Sequence, residues 1–511
     1  MKRTKILTVI LAVIWILLLA SEVLTVLTVL RLDMLPGKFM VLLAVTLLAL
    51  WLLAGFFLLW PQKKTGNIRR VIGCVLAALT VAGCAVITTV VSDVDRTMTN
   101  ITKPTTTGIT MAVYVRADDP AQTLTDAAGY TIGIVEGYEQ ARTEQALAAI
   151  AENLGQDVTT AVYGSVHEMV DALYAREVDA IILNSAYVTI LADLDGYTDF
   201  GERTRIICEI PVTEYSRTEP EKETAATDPE QTEETKPVEP KNITNTPFVV
   251  YISGSDTRSY KLTTGNSDVN ILVVVNPQTK QILLLNTPRD YYIPNPAGNG
   301  ALDKLTHCGV YGIDCSIEAL EDLYDVSVDY YAQINFTGFE TLIDAIGGVT
   351  VYSNVSFSNG GVSIQVGENY LNGSQALAFA RERYQLAAGD NDRGKNQMKV
   401  IQAAIEKVTS GSTIITKYAD ILDSLEGMFA TNMERSEIND LVKMQLSDMA
   451  SWKISTFAVT GAGDSRITYS IPGLHVYVMH PNDELVAQAS ELIDRVIAGE
   501  ILTGDDVKPK G

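Results

Sequence analysis

The chain has 511 residues, with 62 Asp and Glu against 39 Lys and Arg, for a net charge of −23. That length exceeds one ordinary domain, and that charge excludes general binding of nucleic acid or any polyanion through bulk electrostatics. An anion site here must be local.

Three apolar runs come first, Ile6 to Leu30, Phe39 to Trp60 and Val71 to Val91. Each is close to or above the roughly 20 residues that cross a bilayer core as a helix. The first is not a cleaved signal, because it is too long, contains Glu22 and leads into further spans. Lys2, Arg3 and Lys5 precede it, and Lys63, Lys64, Arg69 and Arg70 fill the loop between the second and third runs. Only Arg31 and Lys38 stand on the other side, so the positive-inside rule puts the N-terminus in the cytoplasm and everything after about residue 92 outside. Residues 1–95 are expected to be a membrane anchor without a transport role, since Glu22 is the only acidic residue in the spans.

From 106 to 215 the segments "TIGIVEG", "EQARTEQALAAIAENLG", "VTTAVYG", "SVHEMVDALYAREV" and "DAIILN" alternate strand and helix. They predict a small βαβαβ accessory domain, similar in pattern to one lobe of an extracellular solute-binding protein, with spacing or partner contact as its expected role. His167, beside Glu168 in the second helix, reads as a surface residue. Residues 216–246 open with "SRTEPEKETAATDPEQTEETKPVEPK", an acidic Pro, Thr and Glu run with no apolar face. It predicts an extended linker that frees the following domain to move relative to the membrane.

The last domain, 247–505, begins with a strand at Phe248 to Ser253 that ends in "GSDTR". "NSD" then opens a second apolar run, Val269 to Val275, which turns at "NPQTK" and returns as Gln281 to Leu285, a hairpin. The near-continuous apolar runs imply a sheet covered on both faces by helices, hence a three-layer αβα domain with a mixed central sheet. If the first strand lies antiparallel to the second, Asp256, Asp268, Arg289 and Asp290 meet on one edge. Helices follow at "DCSIEALEDLY", capped by Asp314 or Ser316, at "TGFETLIDAIGG", ended by Gly347 and Gly348, and at "NGSQALAFA". Arg381 and Arg383 share a side only if the chain is extended there, so that helix should end near Ala380. "GDNDRGKNQMKVIQAAIEKV" offers Asp390 or Asp392 as N-cap. Arg393 and Gln397 then lie on one face near free backbone N–H groups, an anion cradle, with Met398, Ile401 and Ile405 on the buried side.

Two carboxylates with no His or Cys beside them are hard oxygen ligands suited to Mg²⁺, with Mn²⁺ as the alternative, and clustered arginines suit a diphosphate. The plain alternative is that Arg289 with Asp290, and Arg381 with Glu382, are surface ion pairs worth little. Cys74 and Cys84 lie in an apolar run and Cys208 stands alone. Cys308 and Cys315 are expected as buried free thiols, and no metal-ligand or disulfide spacing appears.

"GSDTR", "NSDVNILVVVNPQTKQILLLNTPRDYYIP", "GIDCSIEALEDLYDVSVDYYAQINFTGFETLIDAIGGVTV", "GENYLNGSQALAFARER" and "GDNDRGKNQ", in that order, resemble the LytR-CpsA-Psr family. The resemblance implies an extracytoplasmic, membrane-anchored transferase. Such an enzyme moves a glycopolymer, such as teichoic acid or capsule, from undecaprenyl diphosphate to the muramic acid 6-hydroxyl of peptidoglycan. It further implies Asp256 and Asp268 as Mg²⁺ carboxylates, and Arg289, Arg381, Arg383, Arg393 and Gln397 as diphosphate ligands. An apolar tunnel for the polyprenyl tail is also implied. Where the family usually has arginine before the Ser-Asp of the second motif, this chain has Asn266, and Arg258 is the candidate to replace the missing contact. Asp268 or Asp290 is expected to orient or deprotonate the acceptor hydroxyl, with Asp268, Arg289 and Asp290 as the catalytic set. Two further readings use the same residues: a polyprenyl-diphosphate pyrophosphatase, and a non-catalytic lipid-diphosphate receptor. Tyr291, Tyr292 and His307 lie near the rim as candidates for an acceptor groove or for structural roles.

Overall fold

Long apolar helices and alternating strands assemble into two compact units in the computed structural model, which describes residues 2–60, 68–102, 109–213, 215, 242–387, 389–410 and 417–509. Most of the expected linker, 216–241, and the loop cations Lys63 and Lys64 lie outside the described residues.

The first unit comprises Met1–Lys103, Ile405–Glu426 and Met433–Ser451. Its helices α1 (Lys2–Leu32), α2 (Gly37–Leu59) and α3 (Ile68–Ile101) include three stretches long and apolar enough to cross a membrane. Leu17, Leu42 and Leu79 face outward, while Leu18, Ala54 and Ala77 pack between the helices. That is the arrangement expected where lipid replaces water around the bundle. Trp15 stacks on Trp51 at 4.2 Å, and each indole N–H donates to the other residue's carbonyl. At 34 residues α3 is about 51 Å long and outruns a hydrocarbon core of about 30 Å. Its polar last turns receive two later segments, the helices Tyr418–Leu425 and Arg435–Asp448. Thr97 donates to Asp423 at 3.0 Å, Asn100 donates to Glu426 at 2.8 Å, and Arg435 pairs with Asp95. Asn439 and Lys443 bind the end of α1 through the Leu32 carbonyl and Asp33. These helices fall within the stretch that sequence limits assign to one domain, 247–505. Their polar partners, however, stand at the ends of the spans.

The second unit holds two large sheets, of five and six strands, and several two-stranded ones. The first contains β1 (Thr110–Arg116), β2 (Thr131–Val135), β3 (Thr159–Tyr163), β4 (Ala180–Asn184) and β5 (Thr204–Pro211), in the order β3-β2-β4-β1-β5. Strands β2, β3 and β4 with helices α4 (Gln140–Leu154) and α5 (Val166–Ala175) form the expected βαβαβ run, and β1 and β5 add antiparallel strands to it. A short helix α6 (Val188–Ala192) follows β4. Alternation along β1 splits its side chains between two layers. Met111, Val113 and Val115 pack with Ala146 and Ile150 of α4, and Ala112 and Tyr114 with Met169, Val170 and Leu173 of α5.

The second sheet is mixed, in the order β10-β9-β6-β7-β8-β11, with strands β6 (Phe248–Ser255), β7 (Val269–Asn276), β8 (Gln281–Asn286), β9 (Tyr330–Asn335), β10 (Phe429–Thr431) and β11 (Lys453–Ala458). β6, β7 and β8 run antiparallel to one another, while β9 is parallel to β6 and β11 to β8. All of β8 and nearly all of β7 are buried, so both sheet faces are covered. The helices are α7 (Ile313–Tyr324), α8 (Phe336–Ala345), α9 (Gly373–Arg381), α10 (Asp390–Thr409) and α11 (Asp483–Ile497), of which α11 packs on β7 and β8. Neither Asp314 nor Ser316 caps α7. Gly312 takes the N-cap at φ 108°, a conformation that suits glycine, and the two expected residues fall inside the helix. Asn372 caps α9 in a reciprocal box with Gln375.

One apolar core joins the two sheets. Tyr138, Tyr187 and Ile190 of the accessory sheet share a cluster with Val310, Tyr311 and Ile471, and with Tyr251, Leu272 and Leu285 of the second sheet. A buried polar chain crosses the same boundary. The Tyr138 and Tyr311 hydroxyls meet at 2.8 Å, the Tyr311 and Ser470 hydroxyls at 2.7 Å, and Ser470 donates to Asp303 at 2.5 Å. The second Asp303 oxygen lies 2.6 Å from His307 Nδ1. Burial pushes the Asp303 carboxyl up, but His307 and the donors from Ser470 and Lys304 outweigh it and hold the group below its ordinary value. Cys308 and Cys315 are buried free thiols, and Tyr291 and His307 are buried as well.

A carboxyl with a depressed folded pKa adds stability that is complete above the unfolded value and is lost as pH falls through the folded value. Asp303→Asn should therefore lower stability at neutral pH by about 3 kcal/mol. It should also flatten the acid limb of Tm against pH below the ordinary carboxylate range. Thermal unfolding of both proteins across that range checks this.

Candidate active site

The end of β6, the start of β7 and the end of β8 coincide because the strands are antiparallel: Gly254 pairs with Val269, and Ile271 with Asn286. The Asp268 N–H donates to the Gly254 carbonyl at 2.8 Å and the Thr287 N–H to Asn270 at 2.9 Å, which closes the rim. Beneath it Tyr251 donates to Asn270 at 2.6 Å, and Ser253 meets Ser267 at 2.8 Å. These buried bonds fix the turn that presents Asp268.

On this rim Arg289 is the central group. Its Nη1 donates to Asp268 at 2.5 Å and its Nη2 to Asp193 at 2.7 Å, and Nε lies 3.8 Å from Asp290. Burial alone would favour the neutral form, but the charges of Asp268, Asp290 and Asp193 keep the guanidinium firmly protonated. Asp290 is buried and pairs with Lys304 at 3.0 Å. Burial raises its carboxyl, and Lys304 and Arg289 more than reverse the effect, so it is held ionised. Asp256 follows β6. Its neighbourhood is dense and acidic, and burial first, then Asp268 and Asp193, push its carboxyl up against the opposing pull of Arg289 and Arg381. Its side chain keeps an open solvent face, which damps the size of that shift.

Helix α9 ends at Arg381, one residue past the expected Ala380, and Glu382 is extended at ψ 132°. Arg381 lies over the Phe336 ring at 4.7 Å while its charge reaches Asp256. Arg393 pairs with Asp390 at 3.0 Å, and its charge reaches Asp290. Arg393 and Gln397 are buried, as are Met398 and Val400, whereas Ile401 and Ile405 are only half-buried. Helix α10 starts at Asp390 and carries Asp390 and Asp392 in its first turn, so acids of its own stand at the expected anion cradle. Gly394 lets α10 reach the rim: a Cβ there would overlap the Asn286 Oδ1.

The structure thus brings Asp256, Asp268, Arg289, Asp290, Arg381 and Arg393 into one electrostatic field. Other expected residues make different contacts. Arg258 is exposed and lies 3.6 Å from Glu340. Arg383 bonds and stacks on Tyr384. Tyr292 donates to the Ile467 carbonyl. Asn266 is buried and faces the accessory sheet, its N–H donating to Thr189 Oγ1 at 3.0 Å and its Nδ2 to the Thr189 carbonyl at 3.2 Å.

The sequence profile of the LytR_cpsA_psr family matches residues 215–487. The chain belongs to the LytR-CpsA-Psr family. Among curated proteins it is similar to the polyisoprenyl-teichoic acid–peptidoglycan teichoic acid transferase TagU of Oceanobacillus iheyensis. The two are 35% identical over 237 residues, covering 45% of this chain and 70% of the relative. The TagU of Enterococcus faecalis is 31% identical over 225 residues, 44% and 74% of the two chains. Among solved structures, Bacillus subtilis TagV covers 50% of this chain and 99% of its own at 25% identity, with a TM-score of 0.42.

In this LytR-CpsA-Psr chain, Asp256 and Asp268 are residues of the type that suits a hydrated divalent cation. They are oxygen donors with no sulfur or imidazole beside them, and Asp256 sits where positive charge would relieve repulsion. Among the described residues no group of three or more His, Cys, Asp or Glu side chains has the makings of a metal site. Two residues of the rim escape a reading of motifs. Lys304 closes the strand Ala301–Lys304, and Asp193 closes α6. Neither carries a local signal, since each reaches the rim only through packing.

Gly394→Ala should push the first turns of α10 away from Asn286, lowering stability by about 1–3 kcal/mol. It should also weaken polyprenyl diphosphate binding at least as much as Arg393→Ala does. Calorimetric titration of both variants tests this.

Proposed function

We propose that this membrane-anchored LytR-CpsA-Psr protein is a phosphotransferase that moves a glycopolymer from a polyprenyl diphosphate carrier to peptidoglycan. The observation that carries the reading is Arg289, largely out of water on a strand-end rim between carboxylates and with Arg381 and Arg393 in the same field, in a chain that aligns with named teichoic acid transferases. In our reading the N-terminus is cytoplasmic and the second unit lies outside, as the distribution of Lys and Arg around the spans argues.

Arg289, Arg381 and Arg393 take the phosphoryl oxygens, and Arg383, two residues after Arg381, and Gln397, one helical turn after Arg393, are assigned to the same diphosphate. Asp256 and Asp268 would hold Mg²⁺, which when bound supplies a Lewis acid that draws charge from the diphosphate oxygens. Asp268 and Asp290 both stand beside Arg289, and one of the two orients the acceptor hydroxyl and takes its proton. The acceptor hydroxyl oxygen bonds to the sugar-proximal phosphorus and the bond from that phosphorus to the bridging oxygen breaks. The electron pair leaves on polyprenyl phosphate, while the hydroxyl proton passes to the carboxylate.

Arg289→Ala should lower kcat/KM by about 10² or more with the thermal transition kept. The assay combines full-length protein, lipid-linked glycan, divalent cation and a peptidoglycan fragment. A glycan–peptidoglycan adduct supports transfer. Free phosphorylated glycan would mark a hydrolase instead, and binding without turnover a receptor. Asp256→Asn should remove the response of the rate to added Mg²⁺, and an unchanged response would sink the metal assignment.

A further inference from the structure

Residues before 215 lie outside the family match, yet one of them reaches the rim. Asp193 closes α6, its N–H bonding the carbonyls of Ile190 and Leu191, and both of those side chains are fully buried. One residue earlier than Ile190, Thr189 is clamped by two bonds from Asn266, and Gly265 packs against its methyl. The segment is therefore seated on the rim, and Asp193 is placed there by the core. Asn266 thus docks, through Thr189, the segment that carries this carboxylate.

The ion pair from Asp193 to Arg289 Nη2, at 2.7 Å, differs from the one to Asp268 in one respect. The Asp193 side chain is 47% exposed and the Asp268 side chain 12%. An arriving anion meets Asp193 first, and water stabilises Asp193 once it is released. Arg289 Nη2 is the guanidinium edge that a phosphoryl oxygen would take, and two groups of like charge cannot share it.

We propose that Asp193 of the accessory domain tunes the anion affinity of the transfer site: it holds Arg289 Nη2 as a counter-ion and yields it to an arriving diphosphate oxygen. The accessory domain thus sets how strongly the site takes an anion. This inference rests on the diphosphate reading of the rim. Removing one like charge at this range through a solvent-lined rim should tighten anion binding by about fivefold.

The test is calorimetric titration of the full-length protein in detergent with geranylgeranyl diphosphate, for the wild type, Asp193→Asn and Asp193→Glu. The same three proteins are assayed for transfer. Asp193→Asn should bind about fivefold more tightly and lower KM without raising kcat, while Asp193→Glu keeps the wild-type affinity. Equal or weaker binding by Asp193→Asn overturns the proposal, as does tighter binding by Asp193→Glu. If neither wild type nor Asp193→Asn binds the lipid, the diphosphate reading falls and this one falls with it. Matched thermal transitions separate a charge effect from unfolding, which the half-exposed position of Asp193 makes no part of the expected result.

Discussion

The site depends on one largely buried cation. Arg289 sits with most of its side chain out of water, and a lone guanidinium there would be costly. Asp268 and Asp193 take two of its edges and Asp290 stands behind the third, itself neutralised by Lys304. The charges are thus compensated in pairs, and each carboxylate arrives from a different place: the start of β7, the residue after Arg289, and the end of α6. Because the strand ends are locked by backbone bonds and by the Tyr251–Asn270 and Ser253–Ser267 contacts beneath them, the arginine has little freedom to collapse elsewhere. A preorganised donor of this kind is what stabilisation of a charged transition state requires.

The same constraint gives the accessory sheet a place in the chemistry. Its tyrosines share a core and a hydroxyl chain with the sheet that bears the rim, so it is packed into that domain rather than spaced from it. Asn266 and Thr189 then fix the register of α6 against the rim. Disturbing the buried contacts at Tyr138, Tyr187 or Tyr311 would move α6, and with it the carboxylate on Arg289. Stability of this boundary and electrostatics of the site are coupled through geometry alone.

In the first unit the later helices Tyr418–Leu425 and Arg435–Asp448 fasten to the ends of α1 and α3 through ion pairs and carbonyls. The extra length of α3 beyond a bilayer core supplies the polar turns they need. The first unit is therefore built from the N-terminal spans together with helices from much later in the chain.

By itself the sequence determined what short-range physics decides. Apolar length marked three spans, alternation and turn residues marked the hairpin of β7 and β8, and the two-residue spacing of Arg381 and Arg383 required an extended Glu382, which the backbone has. An antiparallel strand direction groups Asp256, Asp268, Arg289 and Asp290 on one edge. Tertiary structure alone decided the rest. Asp193 lies 96 residues from Arg289 and Lys304 comes from a separate small strand, while Arg258 lies beside Glu340. Periodicity and capping act over a few residues and leave a local trace, whereas an ion pair between distant segments exists only after the cores between them have packed. That is why a carboxylate from an apparently ordinary spacer helix came to sit on the arginine.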